Sequence, residues 1–179
     1  MIILKTSRLR IRKLEIRDAP FVLKLVNEPA FMKNIGDKGI RDLADARRYI
    51  RSGPWTRQQL RGYGQHLVEL KTTGQAIGIC GLLYRDQLAI TDIGFAFLEA
   101  FRGQGYAYEA ANAVMEFGHN TLGIAVICGL TSEANTASIR LLEKLGLKFI
   151  RNVKTDADDP GTMFFAENFS GTVESMKSG

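Results

Sequence analysis

Cysteine, histidine, tryptophan and proline are all scarce in this chain of 179 residues, which contains two, two, one and four of them. Cys80 and Cys128 are too few for the disulfide framework of a small secreted domain, and with His66 and His119 they form no zinc-ligand spacing. No apolar run approaches the roughly 18 residues that span a bilayer, and the N-terminus lacks the apolar core of a signal peptide. We therefore expect a cytoplasmic protein with reduced cysteines, no bound metal and no membrane association.

Acidic residues are scarce in the first third of the chain. Residues 1–62 contain 15 lysines and arginines against 6 aspartates and glutamates, whereas the remainder carries a net charge of −4. This basic segment suits an anionic partner, and a solvated basic surface would account for it equally well. Aromatic residues are not interleaved with the basic ones as a base-stacking surface requires, so we expect no direct nucleic-acid binding.

The apolar residues that the chain does have, 45% of the total, are enough for one folded domain over residues 1–179. Alternating or continuous apolar runs predict strands over residues 8–14, 66–71, 76–85, 89–98, 125–131, 148–153 and 162–169. Helical spacing predicts helices over residues 17–29, after residue 105 and over residues 135–146, with Asp18 and Asn135 as N-caps. Residues 31–62 read as an irregular helical arm with a cap at Asp42, and residues 156–161 as a turn.

The order of these elements predicts the topology. Three successive strands separated by short polar turns suggest an antiparallel meander. The following strand, helix and strand form a crossover that favours parallel pairing, and the chain closes with a hairpin. We expect an α/β (α+β) fold with a mixed sheet.

Two glycines and an arginine stand between the strand-like run "IGFAF" and a helical pattern, in the stretch "FRGQGYAYEAA" at residues 101–111. A helix that starts directly after glycines leaves its first N–H groups unpaired, with the positive end of the helix dipole behind them. Such a junction is an anion cradle, and glycine at positions 103 and 105 lets the main chain approach a phosphate closely. A tight strand-to-helix turn without any ligand is the simpler alternative.

Two other phosphate-binding patterns do not fit this junction. The dinucleotide fingerprint would need a third glycine at Tyr108, and the phosphate loop of nucleotide hydrolases would need a lysine followed by serine or threonine at Tyr106 and Ala107. The pattern that remains is Arg102-x-x-Gly105-x-Ala107, after a strand and at the start of a helix.

This pattern resembles the pyrophosphate loop of the GNAT superfamily of N-acetyltransferases. The stretch "SEANTASIRLLEKLGLKF" resembles the superfamily's later motif, in which an asparagine opens a helix that ends before a glycine. "SRLRIRKL" and "DIGFAFLEAFRGQGYAYEAA" are similar to the Rim-type (RimJ/RimL-like) branch, which acetylates the N-termini of ribosomal proteins. The resemblance covers residues 7–155. It implies a mostly antiparallel mixed sheet that is flanked by helices and splayed where acetyl-CoA binds.

The resemblance also implies a set of cofactor-binding residues. The pantetheine arm of acetyl-CoA would insert like an extra strand along residues 95–98, where a bulge at residues 92–94 would open the sheet edge. The diphosphate would bind the glycine loop, with a charge-assisted contact from Arg102. The implied cofactor-binding residues are Phe95, Ala96, Phe97, Leu98, Arg102, Gly103, Gln104, Gly105, Tyr106, Ala107 and Asn135.

Two side chains are candidates for proton transfer. Asp92 stands where Rim-type relatives commonly have a glutamate, which makes it the candidate general base. Many superfamily members place a tyrosine seven residues after the asparagine, where this chain has Leu142. Ser138, one turn after Asn135, is similar to a serine that some Rim-type members offer in the same role, and the resemblance makes it the candidate acid for the leaving thiolate. Asp92 could instead be a polar strand-edge residue and Ser138 a helper of the helix cap.

The resemblance implies an enzyme that moves an acetyl group from acetyl-CoA to a primary amine by direct attack in a ternary complex. The acceptor could be a protein N-terminal α-amine, or an amine on a small molecule or antibiotic. The alternative that is not an enzyme is a CoA-binding module without catalytic activity. Residues 31–55 would roof the acceptor site, and His66 could reach the amine or be purely structural. A monomer and a homodimer both remain open.

Overall fold

A computed structural model describes residues 1–155 and 161–167 of the chain. Within these ranges the strands are β1 Ile2–Lys5, β2 Leu9–Lys13, β3 Gln65–Leu70, β4 Ala76–Arg85, β5 Ile90–Phe97, β6 Ile127–Thr131, β7 Lys148–Val153 and β8 Thr162–Ala166. The α-helices are α1 Ala19–Val26, α2 Pro29–Ile35, α3 Leu43–Ile50, α4 Thr56–Arg61, α5 Tyr106–Asn120 and α6 Thr136–Lys144. The predicted turn over residues 156–160 and the end of the last predicted strand, residues 168–169, lie outside the described residues.

The strands form one mixed sheet in the order β1-β2-β3-β4-β5-β6-β8-β7. Neighbours from β1 to β5 pair antiparallel, β5 pairs with β6 in parallel, and β8 lies between β6 and β7 as the inner strand of the closing hairpin. The predicted meander, parallel crossover and hairpin are therefore confirmed. The sequence pattern does not predict β1, because this four-residue strand at the sheet edge is too short to show an alternation.

The predicted helical arm is also confirmed. Helices α2, α3 and α4 are short, and a π turn over Arg51–Trp55 joins α3 to α4. Asp42 caps α3 by accepting from the Asp45 N–H at 2.8 Å. Asp18 stands at the predicted N-cap position of α1. Its side chain makes no cap hydrogen bond to the helix, because the carboxylate binds the Arg12 guanidinium at 2.8 Å.

The two faces of the sheet are covered by different helices. Helix α5 buries Ala110, Ala111 and Val114 on one face, in a cluster that includes Ile93 and Phe97 of β5. Helices α1 and α3 cover part of the opposite face. Since successive side chains of a strand point to opposite faces, β5 contributes one set of side chains to each layer.

The sheet is splayed between β5 and β6. Only two residue pairs join these strands, Thr91 with Ile127 and Asp92 with Cys128. Beyond this point β6 continues along β8 while β5 continues along β4, so the two parallel strands separate toward their C-terminal ends.

The bulge predicted at residues 92–94 is wrong. The β4–β5 register runs without a shift from Arg85 opposite Ile90 to Gly78 opposite Phe97. Gly94 has a packing role instead, because a Cβ there would lie 2.9 Å from Cδ1 of Leu83. The strands therefore part because each follows a different neighbour, with no irregularity in β5.

None of the helices in the described ranges is long and apolar enough to cross a membrane.

Candidate active site

The glycine loop leads directly into α5 and carries a row of unpaired N–H groups. Gly103 and Gly105 have φ values of 73° and 80°, and Gly105 is the N-cap of the helix. The first helical hydrogen bond runs from Glu109 N–H to Gly105 O at 3.0 Å. None of the described residues accepts a hydrogen bond from the main-chain N–H groups of residues 103–108. The dipole of the 15-residue helix α5 lies behind these donors, so the loop is suited to bind an anion.

The first turn of α5 is tied to the β1–β2 turn by Glu109. Its carboxylate accepts hydrogen bonds at 2.5 to 3.0 Å from Thr6 Oγ1, Ser7 Oγ, Arg8 N and Arg8 Nε. Partial burial alone would raise the pKa of Glu109, but these donors outweigh it and lower the pKa to about 2. The contact joins residues about a hundred positions apart, and no local sequence signal indicates it.

Arg8 extends this connection to the loop itself. Its Nη1 donates to Gln104 O at 3.0 Å, and its guanidinium carbon lies 4.4 Å from the ring centre of Tyr106. Its Nη2 would be 3.3 Å from a Cβ placed on Gly105. Arg8 thus adds positive charge beside the loop, and a side chain at position 105 would require the Arg8 guanidinium to shift.

The Arg102 side chain points away from the loop toward the α1–α2 junction. Its Nε donates to Phe97 O at 2.8 Å, and its Nη2 lies 2.5 Å from Glu28 Oε2. The Glu28 carboxylate also accepts from the Glu99 N–H at 3.2 Å. Arg102 and Glu28 together connect the start of the loop to the helical arm.

The edge of β5 that faces β6 is open beyond Asp92. Leu98 N–H donates to Ile77 O of β4 at 3.0 Å. Every second residue of β5 counted back from Leu98 therefore points its main-chain groups to β4, and the residues between them point theirs toward β6. The main-chain groups of Phe95 and Phe97 and the C=O of Ile93 therefore point to the gap, and Phe97 O accepts from Arg102 Nε. Of the predicted residues 95–98, Phe95 and Phe97 offer main-chain groups to a ligand, whereas Ala96 and Leu98 pair with β4. Ile93, which the sequence interpretation did not include, lies on the same side of β5.

Asp92 is buried on the face of β5 opposite α5. Its side chain pairs with Arg85, with Nε to Oδ1 and Nη2 to Oδ2 distances of 3.0 Å each. Burial raises the pKa of Asp92, and the charge and hydrogen bonds of Arg85 lower it. The residue is 2% exposed, so both oxygens face Arg85 and little else. The candidate base is thus held by a partner that the sequence interpretation did not include.

Asn135 and Ser138 lie at the start of α6, which follows the C-terminal end of β6. Asn135 Oδ1 accepts from the Ser138 N–H at 3.2 Å, which confirms the predicted cap. The Ser138 hydroxyl has no hydrogen-bond partner in the part of the chain that the structure describes. Leu142 is 1% exposed and packs against Gly129 of β6, where a Cβ would lie 2.4 Å from its Cδ2. Leu142 therefore fills a place in the core.

The parallel pairing of β5 and β6 puts the C-terminal ends of both strands at one edge of the sheet. The glycine loop follows β5 there, and Asn135 and Ser138 follow β6. Asp92 lies farther back, at the point where the two strands separate. His66 is apart from this group, since it is 4% exposed and bonded through Nε2 to Gln58 Oε1 at 2.9 Å. Burial lowers the pKa of His66 to about 4, which suits a neutral structural residue.

The family model described as Acetyltransferase (GNAT) domain matches residues 8–148. The chain belongs to the GNAT acetyltransferase family. YkkB of Bacillus subtilis is 31% identical over 84% of this chain and 88% of that protein. The fold also matches two solved acetyltransferases that were crystallised with coenzyme A. One is RimL, a ribosomal L7/L12 α-N-protein acetyltransferase, with a TM-score of 0.79 at 18% identity over 93% of this chain and 97% of that one.

The second solved structure is the aminoglycoside acetyltransferase AAC(6')-Ib, with a TM-score of 0.72 at 17% identity. That match covers 89% of this chain and 94% of the other. Both likenesses are of fold. As a GNAT acetyltransferase, this chain uses acetyl-CoA. The free N–H groups of residues 103–108 suit the diphosphate of that cofactor, and the open β5 edge suits its amide-containing arm.

Proposed function

We propose that this GNAT acetyltransferase transfers the acetyl group directly to a primary amine in a ternary complex, and that the amine is a protein N-terminal α-amine. The observation that carries the proposal is the row of unpaired N–H groups at residues 103–108 beside the open edge of β5. The two features would hold the diphosphate and the pantetheine arm of one cofactor. A protein with this arrangement places a thioester at the point where β5 and β6 separate.

The chain's own groups have distinct roles in binding. N–H groups of Gly103 to Tyr108 would donate to the diphosphate, and the C=O of Ile93 and the main-chain groups of Phe95 would pair with the pantetheine amides. Glu28 holds the Arg102 side chain, so Arg102 would position the loop and contribute its charge at longer range. A groove of about 540 Å³ next to Gly105, between the β1–β2 turn and α5, has room for the rest of the nucleotide.

Proton transfer is assigned to Asp92 and Ser138. The α-amine of a protein has a pKa near about 8, against about 10.4 for lysine, so it needs less help to lose its proton. Asp92 would accept that proton through a water molecule, which requires Arg85 to move away from one carboxylate oxygen. The unpartnered Ser138 hydroxyl at the start of α6 would donate to the leaving thiolate. The protein is proposed to work in the cytoplasm, where its two buried cysteines stay reduced.

A small-molecule amine is the second candidate acceptor. A cavity of about 180 Å³ lies between the start of β3 and the helical arm, lined in part by Trp55, Gln58 and Gln65. It has room for a small amine or for one N-terminal residue, and it is open to solvent. Its size therefore fits both acceptors and excludes neither.

The test is a measurement of thiol release from acetyl-CoA with a panel of amines and of peptides that begin with alanine or serine. Turnover with peptides but not with small amines supports the proposal. Turnover with small amines alone would replace it by the second candidate. Binding is measured separately, since acetyl-CoA at about 100 times its dissociation constant stabilises the fold by about 2.7 kcal/mol. Such stabilisation without release for any amine would indicate a CoA-binding module.

A further inference from the structure

We propose that the side-chain amide of Gln65 binds the acceptor and selects an amine whose adjacent carbon carries a carbonyl group, as in the first residue of a peptide. The inference rests on the proposed function and deepens it, since it names a residue that contacts the acceptor. It is carried by the position of Gln65, which lines the cavity of about 180 Å³ and reaches Gly94 of β5.

Gln65, Gly81 and Gly94 form a row across three strands. Gln65 of β3 pairs with Gly81 of β4, and Gly81 pairs with Gly94 of β5. Directly paired residues of antiparallel strands point to the same face, so all three lie on one face of the sheet. Gly81 allows β3 to approach closely, because a Cβ there would lie 2.6 Å from Gln65 Cα. The Gln65 side chain extends across this position, and its Nε2 lies 3.6 Å from the place of a Cβ on Gly94.

Gly94 is the part of β5 that an acceptor can reach on this face. Asp92 lies two residues earlier on the same face, and β5 and β6 separate directly after it. Asp92 is buried, whereas Gly94 is half-buried. The opposite face is filled, because Ile93 and Phe97 pack in the cluster beneath α5. An amine that approaches the thioester over Gly94 therefore passes the Gln65 amide.

The Gln65 amide is free to bind a ligand. None of the residues in the ranges 1–155 and 161–167 forms a hydrogen bond with it, and the side chain is half-buried. Gln58 lines the same cavity, but both ends of its amide are occupied. Its Oε1 lies 2.9 Å from His66 Nε2, and its Nε2 donates to Gly62 O at 2.7 Å. Gln65 is thus the half-buried amide of the cavity lining that keeps both its donor and its acceptor for a ligand.

The two ends of this amide match the two polar groups of an N-terminal residue. Oε1 accepts from an amine N–H, and Nε2 donates to the carbonyl oxygen of the same residue. Because no partner fixes the amide, it can turn about its last torsion and present either atom toward Gly94. A neutral amine that donates one N–H keeps its lone pair free to attack the thioester. A simple alkylamine bonds to Oε1 alone and leaves Nε2 without a partner.

The test uses three variants of the full chain. Gln65→Met removes the amide and keeps the length of the side chain. Gln65→Asn keeps the amide but shortens the side chain, so that the amide no longer reaches Gly94. Gln75→Met is the matched control, because it removes the same group from an exposed position in the β3–β4 turn. Calorimetric titration should give the wild-type affinity for CoA in all three variants.

The acceptors are the peptide amide Ala-Ser-Ala, alaninamide and isopropylamine. Alaninamide has the amine and the carbonyl of an N-terminal alanine, whereas isopropylamine has a methyl group in place of the carbonyl group. Thiol release from acetyl-CoA gives kcat/KM for each protein with each acceptor. Each variant is compared with wild type for one acceptor at a time, so the difference in pKa between the amines cancels and the changes in protein and acceptor form a cycle.

We expect Gln65→Met to lower kcat/KM about tenfold for the peptide and for alaninamide, which lose two hydrogen bonds. The decrease should be about threefold for isopropylamine, which loses one. Gln65→Asn should lose as much as Gln65→Met, and Gln75→Met should keep the wild-type kcat/KM. Where the wild type does not acetylate isopropylamine, the loss with alaninamide decides the question alone.

Equal kcat/KM for wild type and Gln65→Met would overturn the inference and leave the acetyltransferase activity intact. An equal loss for alaninamide and isopropylamine would overturn it too, because the amide would then not contact the carbonyl. A wild-type protein that binds CoA but releases no thiol with any of the three acceptors would remove the proposed function and this inference with it.

Discussion

Replacement of Gly105 by valine tests the cofactor loop most directly. Gly105 has a φ of 80°, a conformation that costs a non-glycine residue about 1–3 kcal/mol. A Cβ there would also lie 3.3 Å from Arg8 Nη2, which is held by the contacts of Arg8 with Glu109 and Gln104. Either the side chain or the helix N-cap must shift, and a shifted N-cap turns the N–H groups of residues 103–108 away from their present direction.

The expected loss of affinity follows from those donors. One charge-assisted hydrogen bond is worth about 1.5–3 kcal/mol, so the loss of one weakens CoA binding by about tenfold to a hundredfold. Calorimetric titration with CoA measures the dissociation constant, and chemical denaturation measures the free energy of unfolding.

Gly123→Val is the matched control, because Gly123 has a φ of 68° and no atom within 4 Å of a Cβ. It lies beyond the other end of α5, so it should lose a similar amount of stability and keep full affinity for CoA. A folded Gly105→Val protein that binds CoA as well as the Gly123→Val protein would refute the assignment of the diphosphate to this loop.

Three further predictions concern single side chains. Asp92→Asn should leave CoA affinity unchanged and slow acetyl transfer by about a hundredfold at neutral pH, as expected for loss of a general base; an unchanged rate from pH 6 to 9 would remove Asp92 from the mechanism. The pKa of His66 is lowered by burial to about 4, so its contribution to stability is complete above its ordinary value of 6.5 and is lost as pH falls toward 4. The free energy of unfolding should fall by about 3 kcal/mol over this pH range. Urea denaturation at several pH values measures this fall, which should be absent in His66→Gln. Glu109 has a pKa of about 2 against an ordinary 4.5, so its stabilisation is present above pH 4.5 and is lost as pH falls toward 2. Glu109→Gln should cost up to about 3 kcal/mol at pH 7 and nothing at pH 2, and a cost that is independent of pH would contradict this reasoning.

Features that depend on neighbouring residues could be predicted from the amino-acid sequence. Alternating apolar runs predicted the meander of β3, β4 and β5, and the spacing in "NTASIRLLEKLG" predicted α6 with its cap at Asn135. The glycine loop was visible for the same reason, because free N–H groups at a helix start follow from local conformation alone. The family resemblance added the cofactor and the splay of the sheet.

The groups that these local features contact are set by the packing of the folded chain. Glu109 binds the β1–β2 turn, Glu28 binds Arg102 and Arg85 binds Asp92, and the first two pairs join residues more than seventy positions apart. Contacts of this kind leave no periodicity in a sequence, because each depends on where two distant segments come to lie in the packed chain. The bulge was mispredicted for the same reason: Gly94 accommodates Leu83 across the sheet, a requirement that a single strand does not reveal.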